Sequence, residues 1–242
     1  MTGTRWIFCG GMPRSGSTWS YNAAKLLAAE AQKGRPVAAL FAASPEEIDA
    51  ALDEPRQPGA TVILKFHKAS ERIFTMLASG EASNVFTYRH PLQAIASWRE
   101  IFGFDLDAAL QVMRDALIDM DRYRSAPGTV FVSMQEIIET VEIATTRLAA
   151  HLGLTLDKAV LDDIARRTST ERMAEIARSL TRWPEEALID VGRSRYDPET
   201  HLHLGHITRG LARDYQATLS LEEQALCETA LAEWRFAFEH WR

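Results

Sequence analysis

The chain has 242 residues, 46% of them apolar and 25% charged, the balance of a soluble globular protein that buries one large core in one domain, residues 1–242. A formal net charge of −6 excludes a general nucleic-acid binder, which carries a basic excess, so any anion site is built locally from a few cations. No run approaches the roughly 18 apolar residues of a membrane span, the N-terminus lacks a signal-peptide pattern, and Cys9 and Cys227 show no framework spacing, so reduced thiols and a cytoplasmic location are expected.

The first strand-length apolar segment, Trp6 to Cys9, runs into Gly10-Gly11-Met12-Pro13-Arg14-Ser15-Gly16-Ser17-Thr18-Trp19 and then a helical pattern. G-x-x-x-x-G between a strand and a helix is phosphate-loop spacing, with backbone amides and a helix N-terminus facing an anion. Ser15, Ser17 and Thr18 add hydroxyls, and Arg14 a permanent charge. An ordinary capped glycine turn would not call for that arginine. ATP- and GTP-cleaving loops carry Lys where Ser17 stands, and they need an acidic strand end for magnesium.

Further strands are read at Val37 to Phe41, Val62 to Phe66, Asn84 to Tyr88 and Thr129 to Val132. None alternates polar with apolar, so both faces are covered. The third segment delivers Lys65-Phe66-His67-Lys68, with Lys65 and His67 on the same side. A histidine there suits a general base and a lysine a growing anion, against the alternative of an exposed basic turn. The fourth ends in Tyr88-Arg89-His90-Pro91, and a helix follows with Ser97 two turns in. Arg89 and Ser97 together suit a second phosphate; Arg89 paired with a carboxylate is the competing reading.

Leu106, Leu110, Met113, Leu117 and Met120 mark one amphipathic helix; Ile137, Val141, Ala144, Leu148 and Leu152 mark another. Ser-x-x-Glu capping boxes open helices at Ser44, Ser133 and Ser220. The last runs to the C-terminus with Leu226, Ala230, Trp234 and Phe238 on one face. Residues 54–59 form a loop, Pro184 to Pro198 an irregular stretch, and Ala187 to Asp190 reads as helical. His201, His203 and His206 have zinc-like spacing, but no Cys or carboxylate completes a set, so a loop closing on an anion through Arg209, Gly210 and His206 is favoured and no metal is expected.

Alternating strands and helices imply an α/β fold, a parallel sheet of about five strands between two helical layers, with ligands at the carboxyl edge. Together these residues resemble the sulfotransferase family that uses 3′-phosphoadenosine 5′-phosphosulfate (PAPS), a P-loop-type three-layer α/β/α fold. Pro13 to Trp19 is similar to its 5′-phosphosulfate loop, Lys65-x-His67 to the motif carrying the catalytic base, and Arg89 with Ser97 to the pair holding the 3′-phosphate. Tyr196 through Gly210 resembles the C-terminal cofactor loop of small bacterial members. Met134 stands where the family often has Tyr, and Thr208-Arg209-Gly210 where it has Arg-Lys-Gly.

The resemblance implies Arg14, Ser15, Gly16, Ser17, Thr18, Trp19, Arg89, Ser97, Arg209 and Gly210 at the donor, and His67, Lys65 and Arg14 in catalysis. It implies PAPS as donor, 3′-phosphoadenosine 5′-phosphate (PAP) as product, and a small-molecule hydroxyl or amine as acceptor. A small-molecule kinase with a degenerate phosphate loop and a non-catalytic nucleotide-binding module are the other readings. Nothing in the sequence fixes the oligomeric state or the acceptor.

Overall fold

The computed structural model describes residues 3–190, 195–203 and 215–234. The strands are β1 (Arg5–Gly11), β2 (Val37–Phe41), β3 (Thr61–Lys65), β4 (Ala82–Tyr88), β5 (Thr129–Ser133), β6 (Ile189–Asp190) and β7 (Arg195–Tyr196). The helices between strands are α1 (Ser17–Ala31), α2 (Pro45–Asp53), α3 (Glu71–Ser79), α4 (Pro91–Phe102) and α5 (Leu106–Ser125). After β5 come α6 (Met134–Glu139), α7 (Val141–His151), α8 (Lys158–Thr168), α9 (Thr170–Ser179) and α10 (Leu221–Ala230).

Five strands form one parallel sheet in the order β2-β3-β1-β4-β5. Strand order reverses at β1, so the crevice beside its carboxyl end is the ligand position for this topology. Side-chain parity sorts the core into two layers. Trp6 and Phe8 of β1 pack with residues of α3, α4, α5 and α10, whereas Ile7 and Cys9 pack with α1, α7 and α8. Ile63 shares the second layer, which puts Lys65, two residues on, over α1. His206, Thr208, Arg209, Gly210 and Phe238 lie outside the described residues.

Four local expectations are corrected. The segment carrying Ile137 to Leu152 is two helices rather than one: Thr140 leaves helical geometry (φ −143°, ψ 48°) while its hydroxyl and amide both bond the Glu136 carbonyl. Ile137 and Leu148 still reach one core layer across that break. Ser133 and Ser220 make full capping boxes, but at Ser44 the Glu47 carboxylate accepts from the Ala43 amide instead. Among the described residues the helix opened at Ser220 ends at Ala230; Ala230 and Trp234 of the expected face pack partly buried against the core, but the fully buried positions are Cys227 and Leu231, and Leu226 is exposed. Ile189–Asp190 is not helical but pairs antiparallel with Arg195–Tyr196, away from the main sheet.

Candidate active site

The phosphate-loop sequence is fixed to the end of β4 by bonds that leave it little freedom. Met12 N–H donates to the Thr87 carbonyl at 2.9 Å, and Arg89 Nη1 donates to the Arg14 carbonyl at 3.1 Å. Ser15 Oγ lies 2.6 Å from the Met12 carbonyl, 2.8 Å from the Thr87 carbonyl and 2.9 Å from Thr87 Oγ1. Fully buried, that hydroxyl ties the loop down and faces away from the cavity. Close approach demands glycine twice. A Cβ on Gly11 would sit 2.2 Å from Thr87 Oγ1; one on Gly16, at φ 96°, would sit 2.6 Å from Ile137 Cδ1. Arg14 itself adopts φ 67°, a left-handed conformation that a side chain with a Cβ takes up only when its surroundings enforce it.

Gly16 is the N-cap of α1, and no side chain caps that helix. Trp19 N–H bonds back to the Gly16 carbonyl at 2.8 Å, which leaves the Ser17 and Thr18 amides of the first turn for whatever enters the crevice. The crevice is a cavity of about 700 Å³ lined by Arg14, Gly16, Ser17, Thr18, Trp19, Lys65, His67, Arg89 and Ser97, so every expected site residue among those described lines it except Ser15. Lys65 is buried, with Nζ 3.0 Å from Thr18 Oγ1 and 5.7 Å from the Phe41 ring centre. Burial, and behind it the charge of Arg14, pushes its pKa down to about 8. Arg14 Nε donates to Ser97 Oγ at 3.3 Å, so Ser97 meets Arg14, while the Arg89 guanidinium holds the same loop by donating to the Arg14 carbonyl. Arg89 Nη2 also donates to Gln93 Oε1 at 3.4 Å.

His67 lines the cavity and is exposed to solvent. Its Nδ1 lies 3.2 Å from the Gly11 carbonyl. A carbonyl only accepts, so Nδ1 carries the proton and Nε2 keeps its lone pair. Desolvation first, then the charge of Lys65, pushes the ring down to about 4, so at neutral pH it is an unprotonated base. Of the five main-sheet strands, β1 ends at Gly11, β2 at Phe41, β3 at Lys65, β4 at Tyr88 and β5 at Ser133, none of them acidic. Among the described residues, no three His, Cys, Asp or Glu side chains converge to hold a metal. No helix of the described residues is long and apolar enough to cross a membrane.

Sequence reasoning missed one whole wall. Thr170, Glu171 and Met173 of α9 line the cavity, and Met173 packs with Leu202 in a small apolar cluster of its own. The only local signal was the Ser169 cap, whose hydroxyl accepts from Arg172 N–H at 3.2 Å, and a cap says nothing of what a helix faces.

His201 also faces the cavity, at φ 55°, with its ring 4.7 Å from Tyr21 and 5.5 Å from Phe41. Burial, then Lys65, pushes it down to about 4 from 6.5. Between those values the unfolded chain binds a proton that the folded one does not, so stability falls as pH drops from 6.5 toward 4. Thermal melts across that window are expected to show Tm falling with acidification. His201→Asn, which tolerates the left-handed backbone and does not titrate, is expected to give a shallower slope; an unchanged slope removes His201 as a contributor.

The protein is a three-layer parallel α/β fold in which an uncapped helix N-terminus, fixed cations and a histidine meet at one crevice. The fold is that of the sulfotransferases. The chain is similar to mouse sulfotransferase SULT7A1 complexed with PAP, at a TM-score of 0.66 and 13% identity over 96% of this chain and 87% of that one. It is similar to retinol dehydratase in complex with androsterone and PAP (TM-score 0.64, 12% identity, 95% and 80% coverage). A second retinol dehydratase structure, with retinol and PAP, gives a TM-score of 0.63 at 13% identity and the same coverage, 95% and 80%. No family model and no curated protein matches the sequence.

Proposed function

We propose that the protein, as one domain over residues 1–242, is a PAPS-dependent sulfotransferase acting on a hydroxyl or amine of a small-molecule acceptor in the cytoplasm. The observation that carries this is the meeting of the uncapped α1 N-terminus, Arg14, Lys65 and Arg89 with His67, whose Nδ1 is held on the Gly11 carbonyl, in one cavity. That donor set fits a nucleotide carrying two phosphate groups: amides and Lys65 for the 5′ end, Arg89 and Ser97 for the 3′ end. A cavity of about 700 Å³ falls within the range of ligand pockets, roughly 300–1,000 Å³.

PAPS supplies there a sulfuryl group joined to a phosphate leaving group. His67 Nε2 takes the acceptor's proton, with the Nδ1 proton anchored on the Gly11 carbonyl. Lys65 Nζ and the α1 amides hold charge that develops on the phosphate oxygens. Arg14 is held between Ser97 and the loop, which keeps its charge in place. Fixed cations thereby take the part a magnesium ion plays for ATP, and the lack of an acidic strand end agrees with that division of labour.

The test is calorimetric binding of PAP, followed by a screen of phenols, alcohols, amines and sugars for gain of one SO3 from PAPS. Magnesium-dependent ATP turnover with no PAP binding would overturn the reading. The state of Lys65 gives a second check. Deprotonation above about 8 removes a cation from the site, so PAP affinity is expected to fall as pH rises past that value. Lys65→Arg, permanently charged, is expected to bind PAP with a flat profile over the same range. A wild-type affinity that does not change there would detach Lys65 from the phosphate.

A further inference from the structure

The turn from Tyr196 to His203 is built with more care than a cover over a nucleotide requires. The buried Asp197 carboxylate accepts from Glu199 N–H at 3.0 Å, Thr200 N–H at 3.2 Å and Thr200 Oγ1 at 2.5 Å. Asp197 N–H donates to the Leu202 carbonyl at 2.9 Å, and His201 N–H to the Asp197 carbonyl at 2.8 Å. Asn22 Nδ2 and Lys25 Nζ of α1 donate to the Thr200 and Glu199 carbonyls, each at 2.8 Å, which binds the turn to the helix behind the phosphate loop. The left-handed backbone at His201 then returns the chain so that His203 bridges back to Tyr196, with ring centres 5.2 Å apart. These contacts fix the turn whose last described residue, His203, lines the cavity.

Its place along the sheet edge is informative. The cavity runs from Phe41 at the end of β2, past Lys65 and His67 at the end of β3 and the loop after β1, to Arg89 after β4. Contact of His201 with Phe41 sets this turn at the β2 end of the cavity. The charges of Lys65 and Arg14 both reach the His203 ring and, after burial, hold it neutral, pushed down to about 4. His67 feels His203 in turn. Ring contacts running from Lys65 to Phe41, His201, Tyr196 and His203 set His203 toward the β3 end of the cavity that Lys65, Arg14 and His67 also line, the side that the sulfotransferase reading gives to a group attached to the 5′-phosphate.

We propose that His203 binds the sulfuryl group itself, a ring N–H donating to a sulfuryl oxygen from the cavity wall. This rests on the sulfotransferase reading above and adds to it a residue that touches the transferred group and neither phosphate. It divides the labour of two histidines: His67 handles the acceptor's proton, and His203 orients what is transferred.

PAPS and PAP differ by that group alone, so the ratio of their affinities, measured by calorimetry without acceptor, isolates the contact. His203→Phe keeps a ring against Tyr196 and loses the N–H; PAP binding is expected to stay within about twofold while PAPS binding weakens about tenfold. His203→Gln retains an N–H and is expected to recover most of the wild-type ratio. His203→Leu serves where Phe disturbs the turn, and is likewise expected to lower the ratio. A ratio equal to wild type in every Phe or Leu variant that still binds PAP overturns the role of His203. Wild-type protein that binds neither nucleotide fails the sulfotransferase reading instead, so the two failures are told apart.

Discussion

Replacing His67 with Asn is expected to lower the rate of sulfuryl transfer by about 10²–10⁴, the usual worth of a positioned general base, while leaving PAP affinity within about twofold. The asparagine amide can still donate to the Gly11 carbonyl, as Nδ1 of the imidazole does at 3.2 Å, so the floor of the cleft is kept. It has no basic nitrogen to replace Nε2. Because the loss falls on chemistry, kcat and kcat/KM are expected to drop together. The pH profile carries a second signature. In the empty cleft His67 is pushed down to about 4 by burial and Lys65; the negative charge of bound PAPS raises that value, since an anion nearby favours the imidazolium. Wild-type kcat is therefore expected to fall as pH drops through the raised value, and the residual rate of His67→Asn to lack that limb. Full activity in the variant would remove His67 as the base.

Much of this site was legible because it rests on backbone rules that sequence spacing records. Gly11 and Gly16 are there because a Cβ would strike Thr87 and Ile137, and strand parity alone sends Lys65 toward α1, where its Nζ reaches Thr18. What parity does not record is where a hydroxyl turns. Ser15 looks like another donor for an anion, but its Oγ is 2.8 Å from the Thr87 carbonyl, in a strand 72 residues away. The pairing of Ser97 with Arg14 rather than Arg89 is of the same kind. The α9 wall was hidden for another reason: Thr170 and Met173 sit on an ordinary amphipathic helix, and nothing local distinguishes a residue facing a cavity from one facing a core. The break at Thr140 also leaves no trace in hydrophobic spacing, because both half-helices bury into the same layer.

Arg89 is the residue where these two kinds of information meet, and its replacement separates them. By resemblance it holds the 3′-phosphate; by geometry it pins the Arg14 carbonyl, and with it the left-handed turn of the loop that faces the 5′ end. Arg89→Ala is expected to weaken PAP binding by about 10- to 100-fold, the worth of hydrogen bonds to a charged group, and 5′-AMP, which lacks the 3′-phosphate, by only about threefold through the loosened loop. Equal weakening of both nucleotides would mean that Arg89 acts through the loop alone. Arg89→Lys divides the roles further: a lysine keeps the charge but lacks the planar fork needed to serve a carbonyl and a phosphate at once. It is therefore expected to restore part of the preference for PAP over AMP while leaving the threefold loss common to both. Calorimetry of the two nucleotides against wild type and both variants reads the 3′ contact as a difference between ligands and the loop contact as a shift shared by them.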